Sequence, residues 1–316
     1  MSTKITVIGA GSVGSAITND IMVQGIASEV VLIDINKQKA MGEALDIYQG
    51  APFCSPAIIR SGDYEDAAGS QIVIITSGVP RKPGQTRLEL AQTNVNILKE
   101  ITPQIVKYAP DAIYILVSNP VDILTYVFTK ISGIPEKRIL GSGTVLDTSR
   151  LQSELAKRFH ISPKNVHAHV YGEHGDSSFV PWSLATIANN KIDDYQNNVA
   201  DMNRIRWSKD DHQAVEDFVK QSGAQVIKNK GATFYAVAIS VCHICKCILN
   251  GSGTALTVST MMHGEYGVDD VCLSTLALVG SDGVHTKIIS PLTPEETEKM
   301  QISAQKLKEI ISGLEI

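Results

Sequence analysis

The chain has 316 residues, of which 43% are hydrophobic and 19% are charged, and its formal net charge is -5. This composition is typical of a folded globular protein, and the absence of a basic run argues against a nucleic-acid partner. No apolar stretch approaches the roughly 18 residues of a membrane span. A strand pattern begins within four residues of the N-terminus and leaves no room for a signal peptide, so we expect a cytoplasmic protein without a membrane partner.

The first half of the chain alternates strands with helices. Continuous β-branched and apolar runs predict strands at residues 4–8, 29–35, 71–76 and 112–117. Helices are predicted from Ser12, over residues 37–49 and over residues 88–108. Such runs, separated by helices, indicate a buried parallel sheet with helices on both faces. The predicted fold class is therefore α/β, with a Rossmann-type doubly wound parallel sheet.

The pattern changes beyond about residue 150. Helices are predicted over residues 150–159, 199–228 (with interruptions near Ser208 and near Ser222 or Gly223), 234–249 and 294–311. Strands are predicted at residues 165–171, 254–262 and 271–279, the last two in a smaller antiparallel sheet. Thr293 is expected to cap the last helix, with Pro294 in its first turn. We therefore predict a second, mixed α+β substrate domain, and divide the chain into residues 1–145 and 146–316.

Three of the five cysteines, Cys242, Cys245 and Cys247, lie close together. A structural zinc site needs about four ligands, usually in two pairs, and the sequence offers no second pair. The surrounding segment is typical of an apolar helix, in which thiols pack as small hydrophobic groups. We therefore expect reduced, buried cysteines and no metal.

A glycine-rich turn follows the first predicted strand. Residues 9–14 read Gly-Ala-Gly-Ser-Val-Gly and lead directly into a helix. Gly9 would permit the tight turn, Gly11 would let a pyrophosphate approach the backbone, and Gly14 would permit close packing of helix and strand. This spacing, in this context, predicts a dinucleotide site.

The cofactor predicted for this site is NAD. Ser12 and Val13, at the start of the helix, would offer unpaired N–H groups to the phosphates. Asp34 lies at the end of the second strand, twenty residues after Gly14, where its carboxylate would accept from the adenosine ribose hydroxyls. The same carboxylate would repel a 2′-phosphate, which favours NAD over NADP.

Three further segments carry side chains suited to carbonyl chemistry. Residues 81–87 begin and end with arginine, residues 145–150 read Val-Leu-Asp-Thr-Ser-Arg, and residues 172–176 read Gly-Glu-His-Gly-Asp. Together with Ser-Asn-Pro-Val-Asp at residues 118–122, they resemble the L-lactate/malate dehydrogenase family. The resemblance covers essentially the whole chain, with the motifs in the same order. It implies an enzyme that passes a hydride between NAD and a small 2-keto or 2-hydroxy acid.

Reduction of a keto group also requires a proton for the oxygen, and a histidine can hold that proton near neutral pH. The resemblance implies this role for His174, with Asp147 as the carboxylate that holds it and Arg87 as the residue that polarises the keto oxygen when a mobile loop closes. Arg150, three residues after Asp147, suits bidentate capture of the substrate carboxylate. Asn119 resembles the amide that orients substrate and nicotinamide.

The resemblance also implies further contacts with the cofactor. These contacts are assigned to Ser77, Gly78, Asn94, Val117 and Asn119. Gly78 and Gly84 would in addition give the substrate loop the freedom that a lid requires.

The choice between pyruvate and oxaloacetate depends on conflicting signals. Malate enzymes of this family carry arginine at the position of Arg81, where it would pair with the second carboxylate of oxaloacetate. Gly-Ser-Gly-Thr at residues 141–144, Thr233 beside the substrate methyl, and residues 176–183 resemble bacterial lactate dehydrogenases instead. These features favour an L-lactate dehydrogenase in which Arg81 admits oxaloacetate. Malate dehydrogenase is the alternative, and a catalytically silent NAD-binding protein is a third.

Bacterial members of the family are often activated by fructose 1,6-bisphosphate through a basic pair. His167 resembles one member of that pair, but Gln152 stands where the family carries arginine. Loss of one charge-assisted phosphate contact should weaken the effector site, so we expect weak activation or none. The resemblance further implies a homotetramer, or at least a dimer.

Overall fold

The computed structural model describes residues 3–80, 84–198 and 207–316, and is built around a nine-stranded sheet. In chain order, its first half contains β1 (Lys4–Ile8), α1 (Ser12–Val23), β2 (Glu29–Ile33), α2 (Lys37–Tyr48), β3 (Ile58–Ser61), β4 (Ile72–Ile75), α3 (Arg87–Tyr108), β5 (Ile113–Leu116), α4 (Val121–Ile131) and β6 (Ile139–Gly141). The predicted strands and helices of this half are all present. Strand β3, helix α4 and strand β6 were not predicted from the sequence.

The second half adds helices and strands to the same sheet. It contains α5 (Val145–Phe159), β7 (Val166–His167), β8 (Thr186–Ile187), β9 (Asn190–Lys191), α6 (Ile192–Tyr195), α7 (Asp211–Lys230), α8 (Tyr235–Asn250), β10 (Thr254–His263), β11 (Asp269–Gly280), β12 (Gly283–Lys287) and α9 (Pro294–Ile311). The last helix begins as predicted: the Thr293 hydroxyl accepts from the Glu296 N–H, and Pro294 occupies the first turn.

The strand order of the large sheet is β12-β11-β10-β6-β5-β4-β1-β2-β3. The six strands from β6 to β3 are parallel. The chain starts at β1, moves outward through β2 and β3, and then returns to β4 on the other side of β1. This reversal is a topological switch point, and ligands of doubly wound sheets bind beside it, at the carboxyl ends of the strands. The predicted fold class is confirmed.

The two antiparallel strands were predicted correctly, but their assignment to a separate, smaller sheet is wrong. Residues 254–262 and 271–279 do form antiparallel strands, but β10 pairs with β6 through Ser259 and Gly141 and thereby continues the large sheet. Residues 256–262 of β10 are buried without interruption, as in a central strand. The separate small sheet consists of β7, β8 and β9. The strand predicted at residues 165–171 is shorter in the structure, where β7 comprises Val166–His167.

The interruption expected near Ser208 in the helix predicted over residues 199–228 is confirmed, because residues 207–210 are not helical. Residues 199–206 lie outside the described residues. Helix α7 begins at Asp211, and the Asp211 carboxylate accepts a hydrogen bond from the Ser208 N–H. The interruption expected near Ser222 or Gly223 is wrong, because the Ser222 hydroxyl donates to the Phe218 carbonyl within a continuous helix.

Two apolar layers cover the faces of the large sheet. On β4, Ile72 and Ile74 pack toward α1 and α8, whereas Val73 and Ile75 pack toward α3 and α4. The cysteines of α8 belong to the first of these layers: Cys242, Cys245 and Cys247 are buried free thiols, as predicted. In the described part of the chain, no helix has the length and apolar character to cross a membrane, and no three His, Cys, Asp or Glu residues are grouped so as to hold a metal ion.

Candidate active site

The glycine turn lies at the switch point between β1 and β4. Gly9 has φ +109°, and a Cβ there would lie 2.6 Å from the Thr76 hydroxyl oxygen. A Cβ on Gly14 would collide with the Gly9 carbonyl oxygen. A Cβ on Gly11, in contrast, would meet no atom within 4 Å. The turn is therefore closed on the protein side at Gly9 and Gly14, and open at Gly11, where a pyrophosphate would lie.

The start of α1 and the end of β2 complete this cradle. Gly11 precedes α1 without a side-chain cap, so the first N–H groups of the helix, at Ser12 and Val13, remain directed at the open side. The Asp34 carboxylate accepts from the Ala10 N–H at 2.6 Å and from the Asn36 N–H at 2.8 Å. These bonds fix the half-buried carboxylate beside the glycine turn. The arrangement fits a dinucleotide with free ribose hydroxyls.

The remaining expected cofactor residues follow β4 and β5 at the same edge of the sheet. Ser118 donates to the Ser77 carbonyl at 2.6 Å. The buried Asn94 amide accepts from the Val79 N–H at 2.8 Å and donates to the Asn119 carbonyl at 2.7 Å. The structure therefore places Asn94 as a link between the two segments, and its contact with the cofactor stays a prediction. Gly78 is exposed and Val117 is buried at this edge.

A cavity of about 300 Å³ lies next to this edge. Six of the predicted site residues line it: Val117, Asn119, Asp147, Arg150, His174 and Thr233. They come from the segment after β5, from α5, from the loop of residues 172–178 (the His174 loop below) and from the loop that precedes α8. Residues distant in sequence are thus brought to one pocket. Arg81, to which the specificity prediction was assigned, lies outside the described residues.

His174, Asp147 and Arg150 form a hydrogen-bonded chain. His174 Nδ1 lies 2.5 Å from Asp147 Oδ2, and Arg150 Nη1 donates to Asp147 Oδ1 at 2.8 Å. Asp147 lies in the first turn of α5 and is buried, so its charge is balanced by both neighbours. Because Nδ1 is engaged, Nε2 is the ring nitrogen left for a substrate.

The charges of this chain determine its protonation. The charge of Asp147 raises the pKa of His174 to about 9, against the opposing effect of burial. Burial acts to raise the pKa of Asp147, but the charges of His174 and Arg150 and their hydrogen bonds outweigh it and lower that pKa. At neutral pH the pair is therefore an imidazolium and a carboxylate, which is a proton donor held in a fixed orientation.

Arg87 is the first residue of α3 and is half exposed. Its guanidinium forms an ion pair with Asp176 and lies 3.8 Å from Glu173 Oε1. Arg87 does not line the cavity, although Asp176 does. In this conformation the guanidinium is held at the rim by carboxylates of the His174 loop, and polarisation of the substrate by Arg87 stays a prediction.

Comparison with known proteins agrees with this geometry. A family model described as the NAD binding domain of lactate/malate dehydrogenase matches residues 3–141, and the alpha/beta C-terminal domain of the same family matches residues 144–315. The chain belongs to the lactate/malate dehydrogenase family. The family predicted from the sequence motifs is confirmed.

The similar relatives and solved structures are named as lactate dehydrogenases. An L-lactate dehydrogenase of Clostridium botulinum strain Hall is 47% identical over 312 residues, which cover 99% of this chain and 97% of the relative. L-lactate dehydrogenase 1 of Clostridium acetobutylicum is 46% identical, with 99% of each chain covered. Among solved structures, a lactate dehydrogenase from a Medee basin deep-sea metagenome library matches with TM-score 0.94 at 35% identity, with 99% of each chain covered. The minor L-lactate dehydrogenase of Enterococcus mundtii matches with TM-score 0.93 at 38% identity and 98% coverage.

The family motifs did not reveal every residue of the pocket. Lys220 and Gly223 of α7 line it, and Lys220 forms an ion pair with Glu216 one turn earlier. Nothing in the local sequence of α7 distinguishes these residues from an ordinary amphipathic helix. Asp122 lies within the motif of residues 118–122, but its burial beside His174 follows only from the tertiary fold, so no role could be predicted for it.

Proposed function

We propose that this protein is an NAD-dependent L-lactate dehydrogenase, which reduces pyruvate to L-lactate and catalyses the reverse reaction. The observation that carries the proposal is the buried Asp147 carboxylate, which binds His174 on one oxygen and Arg150 on the other. The names of the similar relatives support pyruvate over oxaloacetate as the principal substrate. Bound NADH supplies the hydride that the reaction needs.

The side chains of this chain would perform the remaining steps. Arg150 binds the substrate carboxylate through two parallel N–H donors, which orients the keto group toward His174. His174 holds a proton at Nε2 and transfers it to the keto oxygen, while Asp147 stabilises the imidazolium before the transfer. Asn119 orients the substrate, and Thr233 lies beside its methyl group. As the substrate loop closes, the Arg87 guanidinium leaves its ion pair with Asp176 and donates to the keto oxygen.

The pH dependence of the two directions should be opposite. Pyruvate reduction requires protonated His174, whose pKa is raised to about 9 in the free protein. We therefore expect kcat/KM for pyruvate to be constant from about pH 7 to 8 and to fall roughly tenfold per pH unit above about 9. Lactate oxidation requires the neutral imidazole, so its kcat/KM should rise over the same range. Initial rates of NADH consumption and formation between pH 6 and about 10 measure both limbs, and a reduction limb that rises with pH would contradict the assignment.

Arg81 is proposed to admit oxaloacetate alongside pyruvate. With pyruvate, the Arg81 guanidinium would face a methyl group, and a buried unpaired cation is unfavourable by several kcal/mol. We therefore expect Arg81→Gln to raise the ratio of kcat/KM for pyruvate to that for oxaloacetate by about tenfold or more. Both substrates are measured with NADH on both proteins, and Lys82→Gln is the matched control for a neighbouring loop charge.

Three outcomes of that experiment contradict the proposal. Preference for oxaloacetate in both proteins would make this a malate dehydrogenase in which the whole site determines specificity. An unchanged ratio would remove Arg81 from the specificity argument. NAD binding without turnover of any small 2-keto acid would favour the catalytically silent alternative.

Weak or absent activation by fructose 1,6-bisphosphate is also proposed. The Gln152 amide donates to the Ala168 carbonyl at 3.2 Å, so a neutral and engaged side chain stands where the family carries arginine. The pyruvate saturation curve should therefore shift less than about twofold when the effector is added. Gln152→Arg restores the missing charge and should make the shift larger. A strong shift in the unmodified protein would contradict this prediction.

Helices α2 and α8 expose several large apolar side chains. Exposed apolar side chains on α2 and α8, which both flank α1, would become buried in a homo-oligomer: Met41, Leu45, Tyr48, Tyr235 and Ile239. We propose a cytoplasmic homotetramer, with an NAD-binding domain over residues 1–145 and a substrate domain over residues 146–316. Light scattering coupled to gel filtration measures the assembly.

A further inference from the structure

A second carboxylate lies on the other side of His174. Asp122 is the second residue of α4 and is 2% exposed. Its Oδ2 accepts from the His174 backbone N–H at 2.7 Å, and its Oδ1 accepts from the Ser259 hydroxyl at 2.6 Å. The carboxylate therefore joins three elements: α4, the His174 loop and β10.

These contacts connect residues that must be positioned relative to one another. Asp122 follows Asn119 and Pro120, so it fixes the start of the segment that carries the Asn119 amide. Ser259 pairs with Gly141 in the large sheet, which gives the carboxylate a rigid anchor. Asp122 therefore fixes the position of the His174 backbone relative to the large sheet.

Hydrogen bonding alone does not explain a carboxylate at this position. An asparagine has the same shape and a neutral acceptor oxygen, whereas a buried charge is costly unless a charge of opposite sign lies nearby. The titratable groups that face Asp122 are His174 and Glu173 of the His174 loop, and Cys272 of β11. Of these groups, the His174 imidazolium can supply the positive charge.

We propose that Asp122 is a positioning residue that holds His174 through its backbone and keeps the imidazole protonated with a second negative charge. This inference rests on the proposed function of His174 as the proton donor. The groups that face the His174 ring are Asp147 and Arg150 of α5 and Asp122 of α4. Asp147 has the largest effect on the pKa of His174, Asp122 acts in the same direction, and Arg150 opposes both.

The acidity of Asp122 itself is compatible with this role. Burial raises the pKa of Asp122 to about 6, although the hydrogen bond from Ser259 and the bond from the His174 N–H both act to lower it. The group is therefore ionised above about pH 7, and so it carries its charge in the range where His174 is expected to lose its proton.

The test is the pH profile of Asp122→Asn. This change keeps the shape and an acceptor oxygen but removes the charge, so the alkaline limb of kcat/KM for pyruvate should move to lower pH by about one unit. The limb of lactate oxidation should move by the same amount in the same direction. A defect of folding alone would lower both activities without displacing either limb.

Two further variants separate charge from position. Ser259→Ala leaves the Asp122 charge in place, so kcat should fall while the alkaline limb stays where it is in the unmodified protein. Glu296, in the first turn of α9, is another buried carboxylate, and it accepts a hydrogen bond from the Ser183 N–H. Glu296→Gln removes its charge and should leave both the rate and the pH profile unchanged.

Each outcome supports or overturns the inference. A folded, active Asp122→Asn with its limb at the unmodified position would overturn it, as would an equal displacement in Glu296→Gln. Should Asp122→Asn not fold, a limb displaced to lower pH in Ser259→Ala would overturn it, and an unmoved limb with lower kcat would support it. An unmodified protein that oxidises no NADH with any small 2-keto acid would overturn the proposed function itself, and this inference with it.

Discussion

Replacing His174 with glutamine is expected to lower kcat for pyruvate reduction by about a thousandfold or more. Glutamine fills a similar volume and can still donate a hydrogen bond, but it cannot transfer a proton to the developing alkoxide. The buried Asp147 carboxylate would also lose the imidazolium that balances its charge, with Arg150 as the remaining partner. Saturating-pyruvate rates followed by the loss of NADH absorbance measure the effect.

The binding of NADH should survive this change, because neither the glycine turn nor Asp34 lines the cavity that contains His174. Titration of NADH fluorescence tests that expectation. His212→Gln is the matched control: His212 Nε2 also lies 2.8 Å from an aspartate, Asp193, and the ring stacks on Trp182, but none of the three lines the substrate cavity. Turnover within about twofold of normal is expected there. Substantial activity in His174→Gln would remove the imidazole from the proton-transfer step.

The parallel half of the fold was predictable because its strands are buried on both faces. Runs such as Ile72–Ile75 are continuously apolar, and a helix pattern separates each from the next. The strands Ile58–Ser61 and Ile139–Gly141 were missed, because each has only two consecutive apolar residues and so lacks the continuous apolar run of a buried strand. The attachment of β10 to β6 depends on a pairing between Gly141 and Ser259, which are more than a hundred residues apart. No local pattern encodes such a contact.

The candidate site was predictable where several motifs had to agree. His174, Asp147 and Arg150 lie in two separate segments, and the fold brings them into one hydrogen-bonded chain. The ion pair of Arg87 with Asp176 was not predicted, because it joins the start of α3 to the His174 loop, 89 residues further along the chain. The role inferred for Asp122 was also missed, because a single aspartate after a proline carries no sign in the sequence that it will be buried against a catalytic loop.

Replacing Arg150 with lysine should raise KM for pyruvate and lower kcat/KM by about 100- to 1000-fold. Lysine keeps the positive charge, but an ammonium group cannot present the two parallel donors that a carboxylate accepts from a guanidinium. Arg150 also donates to Asp147 at 2.8 Å, so a shorter and differently shaped cation would weaken the orientation of His174. Initial rates over a range of pyruvate concentrations separate the loss of substrate binding from the loss of turnover.

Arg158→Lys is the control on the same helix, because Arg158 pairs with Glu154 and Asp211 away from the cavity. Its kcat/KM should stay within about twofold of normal, since partly exposed ion pairs contribute little. The comparison isolates geometry, because both variants keep the charge of helix α5 and change only the shape of the donor. If Arg150→Lys bound pyruvate normally, a point charge would suffice for the substrate carboxylate, and the bidentate clamp would have to be abandoned. If both KM and the pH profile changed, Arg150 would serve the substrate and the His174–Asp147 pair together, as its hydrogen bond to Asp147 and its place in the cavity wall imply.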